Sequence, residues 1–303
     1  MNDYSYSFAD ENEKKALVAL CEADFRSKLD AAAELASSQE NLKFIALSGP
    51  TCSGKTTTAG ILIDKLQKKG KRVTVISIDD FFLDRATLAA EAERTGVPFD
   101  MDSVKAIDLG ELRAFVADIA ALRPARLPKF DFAVGGRVGY TELFPDDSDI
   151  YIFEGIQAVY PEVTVLFERK TLLKIYISVE DGISSPWGSW LPREIRLLRR
   201  LVRDSKFRNT DAETTFAHWG GVVSNELVNI EPYKDGCDVR LNSGMIYEIC
   251  VLKDPLIEVL NRISETDSHY VTAKLLMEKL GRFPTVSADY VPQDSVLREF
   301  IGS

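Results

Sequence analysis

The sequence predicts an α/β fold, a parallel sheet flanked by helices, and three neighbouring stretches carry the prediction. Gly49-Pro50-Thr51-Cys52-Ser53-Gly54-Lys55-Thr56 fits G-x-x-x-x-G-K-[ST]. An apolar run, Phe44-Ile45-Ala46-Leu47, precedes it, and Ala59, Leu62, Ile63 and Leu66 follow at helical spacing. Val73 to Ile78 is then a β-branched strand, so strand, helix and strand come in the short order of a parallel βαβ unit. A glycine-rich loop between a strand and a helix is the context in which this motif cradles phosphates. The fold class is therefore of the P-loop NTPase type.

The other elements follow in chain order. Residues Glu11 to Ser38 read as a packing helix with Ala16, Leu17, Leu20, Phe25, Leu29 and Ala33 as its apolar positions. Asp79 and Asp80 end the second strand near the phosphate loop, because parallel strands open on one sheet edge. Arg85 to Asp108 carries Gly96-Val97-Pro98 and reads as a partly helical excursion. Leu109 to Ile119 forms a helix that stops before Pro124, and Pro128 to Phe132 with Gly135, Gly136 and Gly139 forms a strand and turn. Ile150 to Phe153 and Leu172 to Val179 are buried strands, the first ending in Glu154-Gly155.

From Pro192 to Arg208 a helical wheel puts Arg193, Arg196, Arg200 and Arg203 on one face with no acid on that stripe, a row suited to phosphate oxygens. Asp238 to Leu241 and Tyr247 to Leu252 read as late strands. Asp254-Pro255 reads as an N-cap and first helical residue, and a further helix spans Tyr270 to Leu280. The expected organisation is a helical extension over 1–41, a core over 42–254 with an arginine-rich lid at about 190–220, and a helical extension of the same domain over 255–303.

Composition sets limits on function. The chain has 303 residues, 45% of them apolar, which is enough for a large core, and a formal net charge of -10. That charge argues against a broad nucleic-acid or anionic-membrane surface. Four cysteines without C-x-x-C spacing read as reduced thiols of a cytoplasmic protein. No apolar run reaches membrane-spanning length, and the first residues are polar and acidic rather than a targeting signal.

The chemistry expected from these parts is phosphoryl transfer from a nucleoside triphosphate with Mg²⁺, ATP being the leading donor with GTP left open. The phosphate set is Gly49, Thr51, Cys52, Ser53, Gly54, Lys55, Thr56 and Thr57. Lys55 reaches the β- and γ-phosphates, and Thr56 and Glu154 are the metal candidates. Asp79 can accept the proton of an acceptor hydroxyl. Arg200, Arg203 and Arg208 can neutralise charge from the lid.

Four motifs, Ile78-Asp79-Asp80-Phe81-Phe82, Pro128-Lys129-Phe130-Asp131-Phe132, Phe153-Glu154-Gly155-Ile156 and Arg199-Arg200-Leu201-Val202-Arg203-Asp204, resemble in order those of the uridine kinase and phosphoribulokinase family. The final Ser295 to Gly302 resembles the tail of bacterial uridine kinase-like nucleoside kinases. The resemblance implies Asp79 as catalytic base, Phe82 beside the acceptor, Glu154 as the Walker B acid and Asp100 on ribose hydroxyls. It further implies Phe132 and Arg137 in the nucleoside pocket, Arg200 on the ribose and phosphate side, and Arg203 and Arg208 on the ATP phosphates. It makes a nucleoside the leading small-molecule acceptor and a homo-oligomer plausible. Where uridine kinases read the base with a tyrosine, a histidine and an arginine, this chain has Phe130, Gly135 and Thr210, none of which reproduces those hydrogen bonds. Another alcohol or a sugar phosphate is the alternative acceptor, and a non-catalytic nucleotide-binding module is the contrasting class. The absence of N-K-x-D argues against a GTPase.

Overall fold

The structure, a computed structural model, describes residues 10–96 and 100–302. Val97, Pro98 and Phe99, part of the expected excursion, lie outside the described residues. The main elements run α1 (Glu11–Ser38), β1 (Phe44–Ser48), α2 (Lys55–Lys68), β2 (Arg72–Ser77), α3 (Arg85–Thr95), α4 (Leu109–Ala120), β3 (Ala125–Asp131), β4 (Gly136–Leu143), β5 (Asp149–Glu154) and α5 (Pro161–Thr164). They continue β6 (Leu172–Ser178), β7 (Ile183–Ser185), β8 (Gly188–Trp190), α6 (Pro192–Phe207), α7 (Ala212–Asn229), α8 (Glu231–Lys234), β9 (Val239–Asn242), α9 (Glu248–Leu260), α10 (Tyr270–Gly281) and α11 (Arg298–Ile301).

Five strands form the parallel sheet in the order β2-β5-β1-β6-β9. Residues of β1 are buried throughout, as the apolar run requires of a strand covered on both faces. Because β5 lies between β1 and β2, the connection from β1 to β2 skips a strand and leaves a crevice at the strand ends. The register aligns those ends: Glu154 sits opposite Leu47 on one side and Ser77 on the other. The phosphate loop, Asp79 and Glu154 therefore emerge together.

One face of the sheet carries an aromatic cluster in which Phe44 and Phe167 have ring centroids 4.9 Å apart, and Phe153 and Phe167 5.0 Å apart. On the other face a continuous core runs from Leu17 and Leu29 of α1 through Leu47 and Leu62 to Phe300 of α11, so both terminal extensions pack into it. Of the apolar positions expected in α1, Leu17, Phe25, Leu29 and Ala33 are buried, whereas Leu20 is 53% exposed. Among the described residues no helix is long and apolar enough to cross a membrane.

The stretch Tyr247 to Leu252, expected as a strand, belongs to α9, which starts at Glu248 and carries Pro255 inside it rather than at its first turn. Ile249, Cys250, Val251 and Leu252 are all buried, and such an apolar run has no period that separates a buried helix from a strand. The proline removes one helical hydrogen bond, and nearby the carbonyl of Cys250 accepts from the Val286 N–H at 3.0 Å.

The arginine stripe also differs from expectation. Arg193 pairs with Glu231 at 2.5 Å, and Arg196 pairs with Glu226 at 2.5 Å, both sides of the latter pair buried. These acids come from α7 and α8, elements that a wheel drawn on α6 alone does not include. Only the C-terminal half of the stripe faces the crevice. The helix itself is built into the core through Ile195, Leu198, Leu201 and Val202.

Candidate active site

The crevice is an open cleft of about 360 Å³. Its floor is the loop from Thr51 to Thr56. Cys52 and Gly54 both adopt left-handed backbone, at φ 58° and 90°, which turns successive N–H groups inward as an anion nest. Gly54 is the N-cap of α2, no side chain caps it, and the first turn of that helix carries no acid. The N–H groups at that end are left for an anion. A Cβ on Gly49 would lie 1.9 Å from the Ile177 carbonyl oxygen, so only glycine lets the loop leave β1 beside β6. Lys55 Nζ donates to the carbonyls of Gly49 at 2.9 Å and Pro50 at 3.1 Å. Ser53 Oγ is buried with no hydrogen-bond partner among the described residues, a donor that a phosphate oxygen would satisfy.

Asp79 and Glu154 line the same cleft. Burial, reinforced by the charge of Glu154 and opposed by Lys55, pushes the Asp79 carboxyl up to about 6. Burial likewise raises the Glu154 carboxyl, with Lys55 acting against it. The Thr56 hydroxyl and the Glu154 carboxylate are hard oxygen donors that suit Mg²⁺. Among the described residues no three His, Cys, Asp or Glu side chains converge to bind a metal by themselves.

Arg200, Arg203 and Arg208 also line the cleft. Asp204, 3% exposed, orients all three: Arg200 Nε lies 3.1 Å from it, Arg203 Nη2 2.8 Å and Arg208 Nε 3.7 Å. Arg199, on the same helix, does not reach the cleft. It is fully buried, bonded to Glu248 at 2.6 Å and 3.0 Å, and donates to the Cys52 carbonyl at 3.2 Å. It thereby ties the phosphate loop to the start of α9.

The remaining wall holds Phe82, Met101, Asp102, Phe132 and Gln157. Phe82 and Phe132 stand edge to face with centroids 6.1 Å apart, and Phe132 is half exposed on the rim. Gln157 donates to the Met101 carbonyl at 2.9 Å, which leaves its buried Oε1 without a partner among the described residues. The carboxyl of Asp102 is raised, chiefly by burial.

Several expected site residues lie elsewhere. Asp100 is exposed and bonds the backbone N–H of Asp102, which is the carboxylate that lines the cleft. Phe130 is 7% exposed and packs beneath Phe82 and Phe132 rather than on the surface of the cleft. Arg137, on β4, is engaged by Glu111 at 2.8 Å and by Tyr140 at 3.0 Å. Thr57 is half-buried in the first turn of α2. Gly135 turns the β3–β4 hairpin at φ 73°, and Thr210 Oγ1 is bonded back to the Arg208 carbonyl. Sequence reasoning missed Asp102, Asp204, Gln157 and Glu299. The first two sit within quoted motifs or beside an assigned acid, Gln157 lies three residues after Glu154, and Glu299 reaches the cleft only through the tertiary fold.

A phosphate nest, a half-buried carboxylate at the end of β2, a second acid between them and a cluster of arginines define a P-loop phosphotransferase. Residues 44–249 match the Phosphoribulokinase / Uridine kinase family, and the chain belongs to that family. It is a small-molecule kinase with an alcohol group as acceptor and ATP as phosphoryl donor. It is similar to the uridine kinase of Lactobacillus helveticus, 26% identical over 72% of this chain and 95% of that one. It is also similar to uridine-cytidine kinase C of Dictyostelium discoideum, 25% identical over 55% of this chain, of whose length the match spans 31%. A solved structure titled as a possible uridine kinase from Bacillus stearothermophilus overlays with a TM-score of 0.45 and 20% identity, covering 72% of this chain and 99% of that one.

Proposed function

We propose that the protein transfers the γ-phosphoryl group of ATP, with Mg²⁺, to a primary hydroxyl of a nucleoside. The observation that carries this reading is Asp79, a half-buried carboxyl pushed up to about 6 that shares one cleft with Lys55 and Thr56. In this reading the loop from Gly49 to Thr57 grips the triphosphate through backbone N–H groups and Lys55, while Thr56 and Glu154 hold the ion. Mg²⁺, when bound, neutralises charge on the β- and γ-phosphates. Asp79 accepts the proton of the acceptor hydroxyl as its oxygen attacks, and Arg203 and Arg208 stabilise the charge on the transferring group. The phosphoryl groups and a desolvated acceptor are thereby held together, which is most of what this chemistry asks of a protein.

The nucleoside assignment draws on the uridine kinases among the relatives and on the acceptor wall. Asp79, Asp102 and the free Gln157 Oε1 offer three hydrogen-bond acceptors, which suits a hydroxyl-rich ribose, with Arg200 beside them. The half-exposed Phe132 offers an apolar ring to a base, with the buried Phe82 edge to face beside it. Phe130, Gly135 and Thr210 give that base no polar contact, so selectivity among bases is expected to be loose. Values of kcat/KM for uridine, cytidine and purine nucleosides should differ by less than about 10²-fold, the range that apolar contact alone discriminates. The same proposal puts the enzyme in the cytosol, in keeping with its free cysteines.

The test is ADP release and product identification across nucleosides, sugar phosphates and small alcohols. Acceptor-dependent formation of a nucleoside monophosphate is the expected result. Turnover confined to a sugar phosphate or another alcohol would overturn the acceptor, and ADP release indifferent to every acceptor would overturn the transfer reaction.

A further inference from the structure

The family match ends at residue 249, yet the last turn of the chain completes the phosphate cleft. Val296, Leu297 and Phe300 are fully buried. Val296 Cγ1 lies 2.2 Å from where a Cβ on Gly54 would stand, so the tail packs directly against the left-handed glycine of the loop. The Phe300 ring lies 5.1 Å from the Arg199 guanidinium that also bonds the Cys52 carbonyl. Ser295 is anchored to Glu22 of α1, Lys206 of α6 donates to the Ile301 carbonyl, and Arg298 Nη1 bonds the Gly302 carbonyl at 2.8 Å. Held on this many sides, the tail is a fixed wall of the cleft rather than a swinging arm.

From that wall Glu299 joins Lys55, Thr56, Glu154 and Arg203 in lining the cleft. Its Oε2 is buried and has no hydrogen-bond partner among the described residues. Glu299 and Glu154 face the same cleft. A buried acceptor without a donor is costly, and native proteins retain one where something else supplies the donor. Phosphate oxygens cannot, because at neutral pH the bound triphosphate presents acceptors only. Lys55 and Arg203 line the same cleft, but their N–H groups are bonded to the Gly49 and Pro50 carbonyls and to Asp204, so an O–H that arrives with the metal–nucleotide complex is the donor this acceptor is placed to take.

We propose that Glu299 is a donor-site binding residue, supplied by the C-terminal tail, whose carboxylate accepts a hydrogen bond from an O–H of the Mg·ATP complex, either a ribose hydroxyl or a metal-bound water. The proposal rests on the reading of the cleft as the ATP site. It assigns the tail a direct part in holding the donor, in addition to its packing on Gly54.

The test is titration calorimetry of full-length wild type, Glu299→Gln and Glu299→Ala with Mg·ATP, Mg·2′-deoxy-ATP and Mg·3′-deoxy-ATP, alongside thermal melts. Binding of Mg·ATP by the wild type checks the underlying reading separately, since a wild type that does not bind overturns that reading whatever Glu299 does. For Glu299→Ala the expected Kd for Mg·ATP rises about tenfold, the size of one charge-assisted hydrogen bond, with an unchanged melt and a smaller rise for Glu299→Gln. If the ribose is the source, the difference between wild type and Glu299→Ala disappears with one of the deoxy nucleotides. If a metal-bound water is the source, the difference persists with both and the variant requires more Mg²⁺ for half-maximal binding. Unchanged Kd and Mg²⁺ dependence in both variants would overturn the proposal. So would a loss of binding that tracks a lowered melting temperature, because that pattern marks a packing role. Where Glu299→Ala fails to fold, Glu299→Gln, which keeps the shape and loses the charge, decides on the same readings.

Discussion

Replacing Asp79 by asparagine is expected to lower kcat by about 10²- to 10⁴-fold while leaving the Kd for Mg·ATP within about twofold. Asparagine keeps the shape of the side chain but cannot take a proton at neutral pH. Asp79 is the acid at the strand end next to the phosphate loop, and burial has already moved its carboxyl toward the working pH of a base. The loss should therefore fall on the chemical step, because the loop that holds the triphosphate is made by other residues. Single-turnover transfer and calorimetry on the same preparation separate the two. A variant with normal turnover would remove Asp79 from the mechanism, and one that loses ATP binding as well would make its role architectural.

The largest effect on stability is expected at Arg199 and Glu248. Both side chains are 0% exposed and are joined by two hydrogen bonds of 2.6 Å and 3.0 Å. Removing either partner leaves a charge buried without its counterion, so Glu248→Ala and Arg199→Ala should each lose about 3–5 kcal/mol in urea unfolding. The double replacement by apolar residues should lose less than the two single losses added together, since it strands no charge. Arg199 also holds the Cys52 carbonyl, so the weakened variants should bind Mg·ATP less well even where they remain folded. Single variants that lose under about 1 kcal/mol would contradict the assignment of this pair as a structural staple.

How far the sequence was legible depends on the range of the interactions involved. The loop from Gly49 to Thr56, with the strand before it and the helix after it, is specified within some two dozen residues, and the structure follows it closely. Asp79 and Glu154 were also readable, because a parallel sheet brings strand ends to one edge whatever the connections are. The apolar run after Tyr247 was misread because a helix buried all round has no amphipathic period. The arginine stripe was half misread for a different reason. Its acid partners, Glu226 and Glu231, lie outside the helix on which the stripe was drawn. Asp100 and Asp102 lie two residues apart, and which of them faces the cleft depends on local turns that spacing does not encode. Glu299 was beyond reach, since it is separated from Gly54 by most of the chain and meets the loop only once α6, α9 and the tail have packed together.

Asp79 as the catalytic base sets the pH dependence of phosphoryl transfer. A carboxyl whose folded value is raised favours its protonated form in the native state. Its stabilising contribution is complete below the ordinary carboxylate value and is lost as pH rises through about 6, while its competence as a base grows over the same interval. Single-turnover transfer from Mg·ATP to a saturating nucleoside, measured from pH 4.5 to 8, should rise tenfold per pH unit and level off with an apparent value of about 6, and the limb should be absent in Asp79→Asn. A rate that is flat across that range in the wild type, or a limb that survives in the variant, would contradict Asp79 as the base.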